Sequence, residues 1–264
     1  MTEHVFEGLD GGVRSEKPRS AGLTMVVDFG LGPNAQHDMS ATAAGYVDFA
    51  KIGVGISRLL PDELLRAKID AYRRHRIDPF PGGQFLEYAE ISGKADRYLP
   101  AVARAGYRWV EVSDNVAVVS LEWKQAMIRQ ATDDFSLGVL GEVGQKSPDA
   151  AGKRVPMADD AKACLDAGAR IVLLEAAELV ADDPAIAREV EAVVDAVGFE
   201  RLMFELPGPW ISGVTLDQVM DMRNRLIGRF GPEVSLGNVQ PGDLLSLEAY
   251  RRGLGTNAGA PIGG

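Results

Sequence analysis

Six acidic residues each end or closely follow an apolar, strand-like run, and this repeated pattern is the clearest sign of chemistry in the sequence. They are Asp28, Glu111, Asp114, Glu142, Glu175 and Glu205. In a parallel α/β barrel the carboxyl ends of the strands meet at one rim, and active sites form there. We therefore expect at least two of these carboxylates to belong to one site.

Carboxylate oxygens are suited to a hard divalent cation. Mg²⁺ typically takes one or two protein carboxylates and keeps several waters for its substrate. Ligation by histidine or cysteine is not favoured, because the chain has three histidines and one cysteine, Cys164. Cys164 lies in a helix-like segment, where a buried structural thiol is the expected state. The sequence predicts a metal held by oxygen.

Two lysines complement the acids. Lys51 ends an apolar strand-like run, where a buried ammonium needs a partner. We expect Asp28 to be that partner, and both a rim ion pair and a role in substrate binding stay open. Lys146 leads into a loop rich in Lys, Arg, Gly and Pro over residues 147–156. A lysine there is placed to cover a bound anion or to donate a proton.

Glycines mark places where a ligand can approach the backbone. Gly82-Gly83 and Gly237-Asn238 would expose backbone N–H groups to a phosphate, although turn geometry explains glycines equally well. Gly53-Val54-Gly55 is not a dinucleotide fingerprint, because Arg58 follows Ile56-Ser57 where the third glycine is needed.

The elements that must position these residues form eight alternating units of about 30 residues each. We predict strands over residues 23–28, 46–52, 77–80, 108–113, 137–143, 170–175, 201–206 and 234–239. Strands alternating with helices indicate an α/β fold with a parallel sheet. Eight units favour a single-domain (β/α)8 barrel over an open doubly wound sheet. We assign residues 19–254 to the barrel, 1–18 to a flexible arm and 255–264 to a flexible tail.

Several helix limits are also predicted. We expect a loop over residues 33–38 with a helix beginning near Ser40, a helix from Asp62, a helix N-terminus at Ser120 and a helix stop at Gly106. These positions follow from apolar residues spaced three and four apart and from capping residues.

Bulk properties exclude several classes of partner. The 264 residues carry a formal charge of −10, which argues against a nucleic-acid-binding surface. A small anionic substrate is still compatible, because one pocket can be positive on an acidic protein. No apolar run approaches the roughly 18 residues of a membrane span, and no signal peptide precedes the barrel. Together with the single cysteine, this leads us to expect a cytoplasmic protein.

A series of ordered motifs resembles one known family. The motifs include Gly22-Leu23-Thr24-Met25-Val26-Val27-Asp28, Val110-Glu111-Val112-Ser113-Asp114 and Gly141-Glu142-Val143-Gly144-Gln145-Lys146, with further blocks at 46–53, 81–83, 166–169, 204–207, 236–239 and 247–254. The chain resembles the phosphosulfolactate synthases, Mg²⁺-dependent barrel enzymes that add sulfite to phosphoenolpyruvate. The resemblance spans about residues 17–255.

The resemblance implies a role for each matching residue. The implied Mg²⁺ ligands are Glu142, Glu175 and Glu205. The implied catalytic residues are Lys146 as proton donor, with Glu142 and Asp28. The implied substrate-binding residues are Lys51, Gly82, Gly83, Glu87, Ser113, Asp114 and Asn238. A homo-oligomer is expected, with no sequence feature that fixes its order.

The chain departs from the family at positions that hold anions. Ala177 stands where the family has an arginine, and Gly208-Pro209-Trp210-Ile211 replaces a polar run. An arginine fork binds phosphate or sulfonate through two hydrogen bonds, which alanine cannot do. Two alternatives therefore stay open beside sulfite addition. One is the same mechanism with a different nucleophile or enol acid, and the other is a non-catalytic, stress-related or binding protein.

Overall fold

The chain folds around one eight-stranded sheet. The computed structural model describes residues 5–6, 9, 11–144, 154–175, 184–208 and 210–258. The strands are β1 (Thr24–Asp28), β2 (Phe49–Ile52), β3 (Asp78–Pro81), β4 (Trp109–Val112), β5 (Gly138–Val143), β6 (Ile171–Glu175), β7 (Leu202–Glu205) and β8 (Leu236–Val239). The sheet order is β3-β2-β1-β8-β7-β6-β5-β4 with parallel pairing throughout. β3 and β4 lie side by side, so the sheet is a nearly closed barrel.

Helices alternate with these strands. They are α1 (Pro33–Ala43), α2 (Ile56–Leu59), α3 (Asp62–Arg74), α4 (Gln84–Ile91), α5 (Tyr98–Ala105), α6 (Leu121–Asp133), α7 (Met157–Asp166), α8 (Pro184–Val197), α9 (Leu216–Phe230) and α10 (Leu244–Arg251). The predicted single-domain (β/α)8 barrel is confirmed. Among the described helices, none combines the length and apolarity that crossing a membrane requires.

Local signals explain where helices begin and end. The Ser120 hydroxyl accepts a hydrogen bond from the Trp123 amide and caps α6. Gly106 adopts a φ of 97° after α5, a left-handed conformation that glycine reaches without steric cost. The predicted loop over residues 33–38 was wrong, because α1 already begins at Pro33. Proline suits a first helical position, where its missing N–H is not needed.

Alternation along the strands separates two apolar cores. One core contains Met25, Phe49, Leu140, Leu173 and Met203, all of them strand residues. The other core joins the alternate strand residues to the helices, and it includes most of the buried helix side chains. Successive strand side chains point to opposite faces. The first core is therefore the barrel interior, and the second is the layer between barrel and helices.

The segment before β1 is attached to the barrel. Arg14 is buried and donates to the carbonyl oxygens of Pro232, at 2.9 Å, and Gly22, at 3.0 Å. Arg14 Nη1 also lies 2.9 Å from Glu233 Oε1. The Gly12 amide donates to the Arg252 carbonyl oxygen at 2.7 Å. The mobility of the arm stays a prediction, but these contacts place residues 11–18 with the barrel.

Candidate active site

Five charged residues occupy the last inward-facing position of their strands. Each follows an apolar interior residue by two places, as in the pairs Phe49 and Lys51, Trp109 and Glu111, Leu140 and Glu142, Leu173 and Glu175, and Met203 and Glu205. A spacing of two keeps both side chains of a pair on one face of the sheet. The apolar interior is thus capped at its C-terminal end by four carboxylates and one ammonium. We call this end of the barrel the mouth.

Lys51 connects two of these carboxylates. Its Nζ lies 3.0 Å from Glu111 Oε1 and 2.9 Å from Glu205 Oε1. Burial by itself lowers the pKa of Lys51, but Glu111, Glu205 and Glu142 together more than offset burial, so the pKa stands well above its ordinary value. Lys51 is therefore a permanent positive charge at the centre of the mouth.

Three carboxylates converge beside Lys51. Ligand oxygens of Glu142, Glu175 and Glu205 all lie within 4.8 Å of one another. We call these residues the carboxylate trio. Oxygens on opposite sides of a bound Mg²⁺ are separated by about 4.2 Å, since each Mg–O distance is about 2.1 Å. Small side-chain rotations would therefore bring the carboxylate trio around one cation.

Glu142 shows why a cation suits the trio. Its Oε1 accepts from Asn115 Nδ2 at 2.5 Å, whereas its buried Oε2 accepts no hydrogen bond from the N–H and O–H donors of the described residues, and the carboxylate of Glu111 is its neighbour. Burial raises the pKa of Glu142 well above its usual range, and the negative charges of Glu205 and Glu111 raise it further. A buried carboxylate oxygen without a partner is costly, and a divalent cation would remove that cost.

The charge balance of the mouth also favours a bound cation. Four carboxylates face one ammonium, so the five groups carry a formal charge of −3 when all are ionised. Burial also raises the pKa of Glu111, although Lys51 opposes this shift. This arrangement is chemically able to hold a divalent cation next to a lysine.

Asp28 does not join this group. Its Oδ1 accepts from the amides of Gly30 and Leu31 at 2.8 and 2.7 Å, and its Oδ2 accepts from the Tyr72 hydroxyl at 2.7 Å. Lys68 Nζ lies 2.5 Å from Oδ2. The expected pairing of Asp28 with Lys51 was wrong, because Val27 is the residue beside Lys51 in the sheet. Asp28 points toward the helices instead and anchors the loop after β1.

Glu87 and Ser113 position the loop that follows β4. Glu87 is fully buried, and its Oε1 accepts from Ser113 Oγ at 2.5 Å. Its Oε2 accepts from the amides of Val116 and Ala117 at 2.5 and 2.7 Å. Asn115, the residue that contacts Glu142, lies within this loop. The structure thus gives Glu87 and Ser113 a positioning role, and their predicted contact with substrate stays a prediction.

Asp114 belongs to a second buried network, centred on Lys124. Lys124 Nζ lies 3.1 Å from Asp114 and 2.9 Å from Asp160, and it donates to the Glu142 carbonyl oxygen at 2.9 Å. The network fixes the backbone from which Glu142 projects. Lys124 is a site residue that was not predicted, although Lys124, Ile128 and Ala131 at i, i+4 and i+7 mark the buried face of α6.

The glycine positions have mainly steric explanations. A Cβ on Gly83 would lie 2.2 Å from Ser113 Oγ and 2.9 Å from Glu111 Oε1. Gly82 donates its amide to the Ile52 carbonyl oxygen at 2.9 Å. Asn238 is buried with a φ of 57° and lines a separate cavity of about 290 Å³. The predicted phosphate contacts of these residues stay predictions.

Several positions singled out by the sequence lie outside the described residues. They are Lys146, the predicted proton donor, residues 147–153 of the loop that follows it, Ala177, which stands in place of an arginine, and Pro209. Their roles stay predictions.

An aromatic pair lies near the same mouth. Phe29 follows β1 and Trp210 follows β7, and their ring centroids are 5.1 Å apart. Each ring is close to half exposed. A Cβ on Gly53 would collide with the Phe29 ring, and one on Gly208 would collide with the Trp210 ring. The two glycines therefore make room for an apolar surface at the rim.

The barrel, its carboxylate trio and its paired lysine define a (β/α)8 protein with an acidic centre at the C-terminal mouth. The family model for (2R)-phospho-3-sulfolactate synthase (ComA) matches residues 12–257. The chain belongs to this family of enzymes.

Three relatives share most of their length with this chain. The phosphosulfolactate synthase of Methanothermobacter thermautotrophicus is 33% identical over 252 residues, which cover 91% of this chain and 92% of the relative. That of Methanocaldococcus jannaschii is 32% identical, with 88% and 92% covered. That of Bacillus subtilis is 29% identical, with 92% and 94% covered. The sequence-based family assignment is confirmed.

Proposed function

We propose that this protein catalyses the Mg²⁺-dependent addition of sulfite to phosphoenolpyruvate, giving phosphosulfolactate. The carboxylate trio beside Lys51 carries this proposal, because it is the only group of three or more such ligands found among the described residues. The relatives' names supply the product, phosphosulfolactate, and the family resemblance of the sequence supplies sulfite and phosphoenolpyruvate as the substrates. The intact acidic centre argues against the non-catalytic alternative.

The reaction forms one carbon–sulfur bond and one carbon–hydrogen bond. Sulfite sulfur adds to the methylene carbon, and the electron pair of the double bond moves to the adjacent carbon beside the substrate carboxylate. Mg²⁺, when bound, supplies Lewis-acid stabilisation of that developing charge. The unpartnered Glu142 Oε2 is the observation that fits this ion. A proton then has to reach the adjacent carbon.

The chain's own residues divide the remaining work. Glu142, Glu175 and Glu205 would hold the cation, and Asn115 fixes Glu142. Lys51 presents a positive charge that the negative substrate meets at the barrel axis. Lys146 donates the proton, since an ammonium is a suitable general acid. This role for Lys146 comes from its place in the family motif.

Phosphorus and proton NMR of the purified protein with Mg²⁺, phosphoenolpyruvate and sulfite tests this proposal. We expect a phosphosulfolactate signal that EDTA abolishes. Glu142→Gln should lower the rate at least 100-fold, whereas Glu122→Gln, the same change at an exposed position on α6, should leave it within twofold. Lys146→Ala should also stop turnover. Intact phosphoenolpyruvate after hours with the wild-type protein would overturn the assignment.

A second candidate keeps the mechanism and changes the nucleophile. The exposed Phe29–Trp210 pair favours this candidate, because two aromatic rings do not stabilise the binding of a small dianion such as sulfite. Benzenesulfinate presents the same nucleophilic sulfur with an apolar ring. Under this candidate the protein consumes benzenesulfinate faster than sulfite, and Trp210→Ala removes the preference. Faster reaction with sulfite would exclude it.

A further inference from the structure

A large cleft lies on the outer flank of the barrel, apart from the acidic mouth. It occupies about 620 Å³ between α2 and α3 on one side and α4 and α5 on the other. Small-molecule sites typically have volumes of about 300–1,000 Å³. We call it the flank cleft. Neither the proposed reaction nor the family motifs account for it.

The flank cleft is strongly positive. Five basic residues line it against one acid, Asp62. They are Arg58, Arg66, Lys94, Arg97 and Arg104. None of the five forms a salt bridge with any residue of the described ranges. Their formal excess of four positive charges stands out on a chain whose net charge is −10. Such local concentration of one sign attracts an oppositely charged ligand.

The floor of the cleft is apolar and aromatic. Phe85 and Tyr98 pack edge to face with centroids 5.3 Å apart, and Leu65 and Val102 are buried beside them. Tyr88 is 62% exposed at the edge, where its ring is available for stacking on a planar group. A ligand with both charge and a flat apolar body matches this combination.

One polar group in the floor lacks a partner. Tyr98 is 5% exposed, and its hydroxyl has no hydrogen-bond partner within the part of the chain that the structure describes. Its neighbour Tyr107 satisfies its own hydroxyl by bonding Ser57 Oγ at 2.8 Å. Buried polar groups in proteins are nearly always hydrogen-bonded. A ligand oxygen would supply what Tyr98 lacks.

We propose that the flank cleft binds an organic polyphosphate with a flat apolar body, which is the chemistry of a nucleotide. The five basic side chains meet the phosphates, the aromatic floor meets the ring, and the Tyr98 hydroxyl bonds an oxygen of the ligand. The site is distinct from the carboxylate trio, because none of the three carboxylates lines the cleft.

Fluorescence titration of the full chain with mant-ATP in EDTA tests this inference, since EDTA removes any metal-dependent binding at the mouth. We expect one saturable site per chain, displaced by ATP more effectively than by inorganic triphosphate. Arg66→Glu combined with Arg97→Glu should weaken binding at least tenfold, and Tyr98→Phe should weaken it about threefold. Arg108→Glu combined with Arg129→Glu, the same charge change at two exposed positions outside the cleft, should alter it less than twofold, and so should Arg129→Glu alone.

Three results would overturn the inference. They are the absence of saturable binding, an equal loss in Arg129→Glu, and equal displacement by triphosphate and ATP, which would leave no role for the apolar floor. Glu142→Gln serves as a second control, because it should leave mant-ATP binding unchanged. Sedimentation of the Arg66→Glu, Arg97→Glu variant completes the test. A change of oligomeric state without nucleotide binding would assign the cleft to a contact between copies of this chain.

Discussion

Lys51 holds together two buried carboxylates that would otherwise repel each other. Replacing it by methionine keeps the volume but leaves Glu111 and Glu205 without their ammonium. Breaking a buried ion pair from one side typically costs about 3–5 kcal/mol. We therefore expect Lys51→Met to lower the free energy of unfolding by about 3 kcal/mol in urea at neutral pH.

The matched control is Lys162→Met on the exposed side of α7, which should change stability by less than about 0.5 kcal/mol. Adding Glu111→Gln to Lys51→Met should recover part of the loss, because one of the two uncompensated charges is then gone. Equal stability of Lys51→Met and wild type would show that Lys51 does not stabilise the two buried carboxylates.

At the residue scale, the sequence predicted the location of a side chain correctly where its position along a strand alone determines that location. Lys51, Glu142, Glu175 and Glu205 could be placed at the mouth because each ends an apolar strand. The expected pairing of Asp28 with Lys51 was wrong because a one-residue difference in the sheet turns a side chain to the opposite face, and the predicted catalytic role of Asp28 stays a prediction. The contacts of Asn115 could not be predicted, because it lies in a loop whose path depends on Glu87, 28 residues earlier in the chain.

The loop after β4 and the start of α4 form one packed element. Gly83 has a φ of −61° and a ψ of −32°, which alanine adopts without strain. A Cβ there would nevertheless meet Ser113 Oγ at 2.2 Å and Glu111 Oε1 at 2.9 Å. Overpacking of this kind typically costs about 1–3 kcal/mol.

We expect Gly83→Ala to lower stability by about 2 kcal/mol in urea unfolding and to weaken divalent-cation binding, because the displaced Ser113 carries the Asn115 loop with it. Gly45→Ala is the matched control, since a Cβ at Gly45 meets no atom within 4 Å. Equal stability and equal cation binding in the two variants would contradict the role given to the close packing at Gly83.

Element types followed from the sequence more reliably than element limits. The eight predicted strands all exist, because apolar runs bounded by helical periodicity leave few alternatives. The second strand begins at Phe49 rather than residue 46, since residues 44–46 form a 3-10 turn. That turn has no periodicity of its own, so its sequence looks like a continuation of the strand.

At the scale of the whole molecule, the segment before β1 contacts distant parts of the barrel. Lys17 Nζ donates to the Ala44 carbonyl oxygen at 3.1 Å and also to that of Val47. Arg19 Nε lies 3.2 Å from Asp48 Oδ1. Burial is the main cause that lowers the pKa of Lys17 to about 8. The charged form of Lys17 therefore lowers the stability of the folded protein at neutral pH, relative to a fully solvated lysine.

This cost predicts a pH dependence. Between pH 8 and about 10.5 the unfolded chain holds the Lys17 proton while the folded protein releases it, so stability rises with pH in this window. We expect wild type to gain stability relative to Lys17→Met as the pH rises from 8 to 10, measured by urea unfolding. Parallel curves for the two proteins, or a relative loss, would show that Lys17 is solvated in the folded state.

The whole fold could be predicted because eight repeated strand–helix units fit few other architectures. The attachment of residues 11–18 could not, because their glycines and charged residues are equally typical of a flexible arm. Only the folded barrel brings together the carbonyl oxygens and carboxylates that Arg14 contacts. The flank cleft was also beyond prediction, since its five basic residues come from several separate segments.

Mn²⁺ binding tests most directly whether the carboxylate trio holds a divalent cation. Mn²⁺ is observable by electron paramagnetic resonance and takes the same oxygen ligands as Mg²⁺. We predict one Mn²⁺ per chain, displaced by Mg²⁺, with affinity reduced at least tenfold in Glu142→Gln and unchanged in Glu122→Gln. Undiminished Mn²⁺ binding in Glu142→Gln would contradict the account.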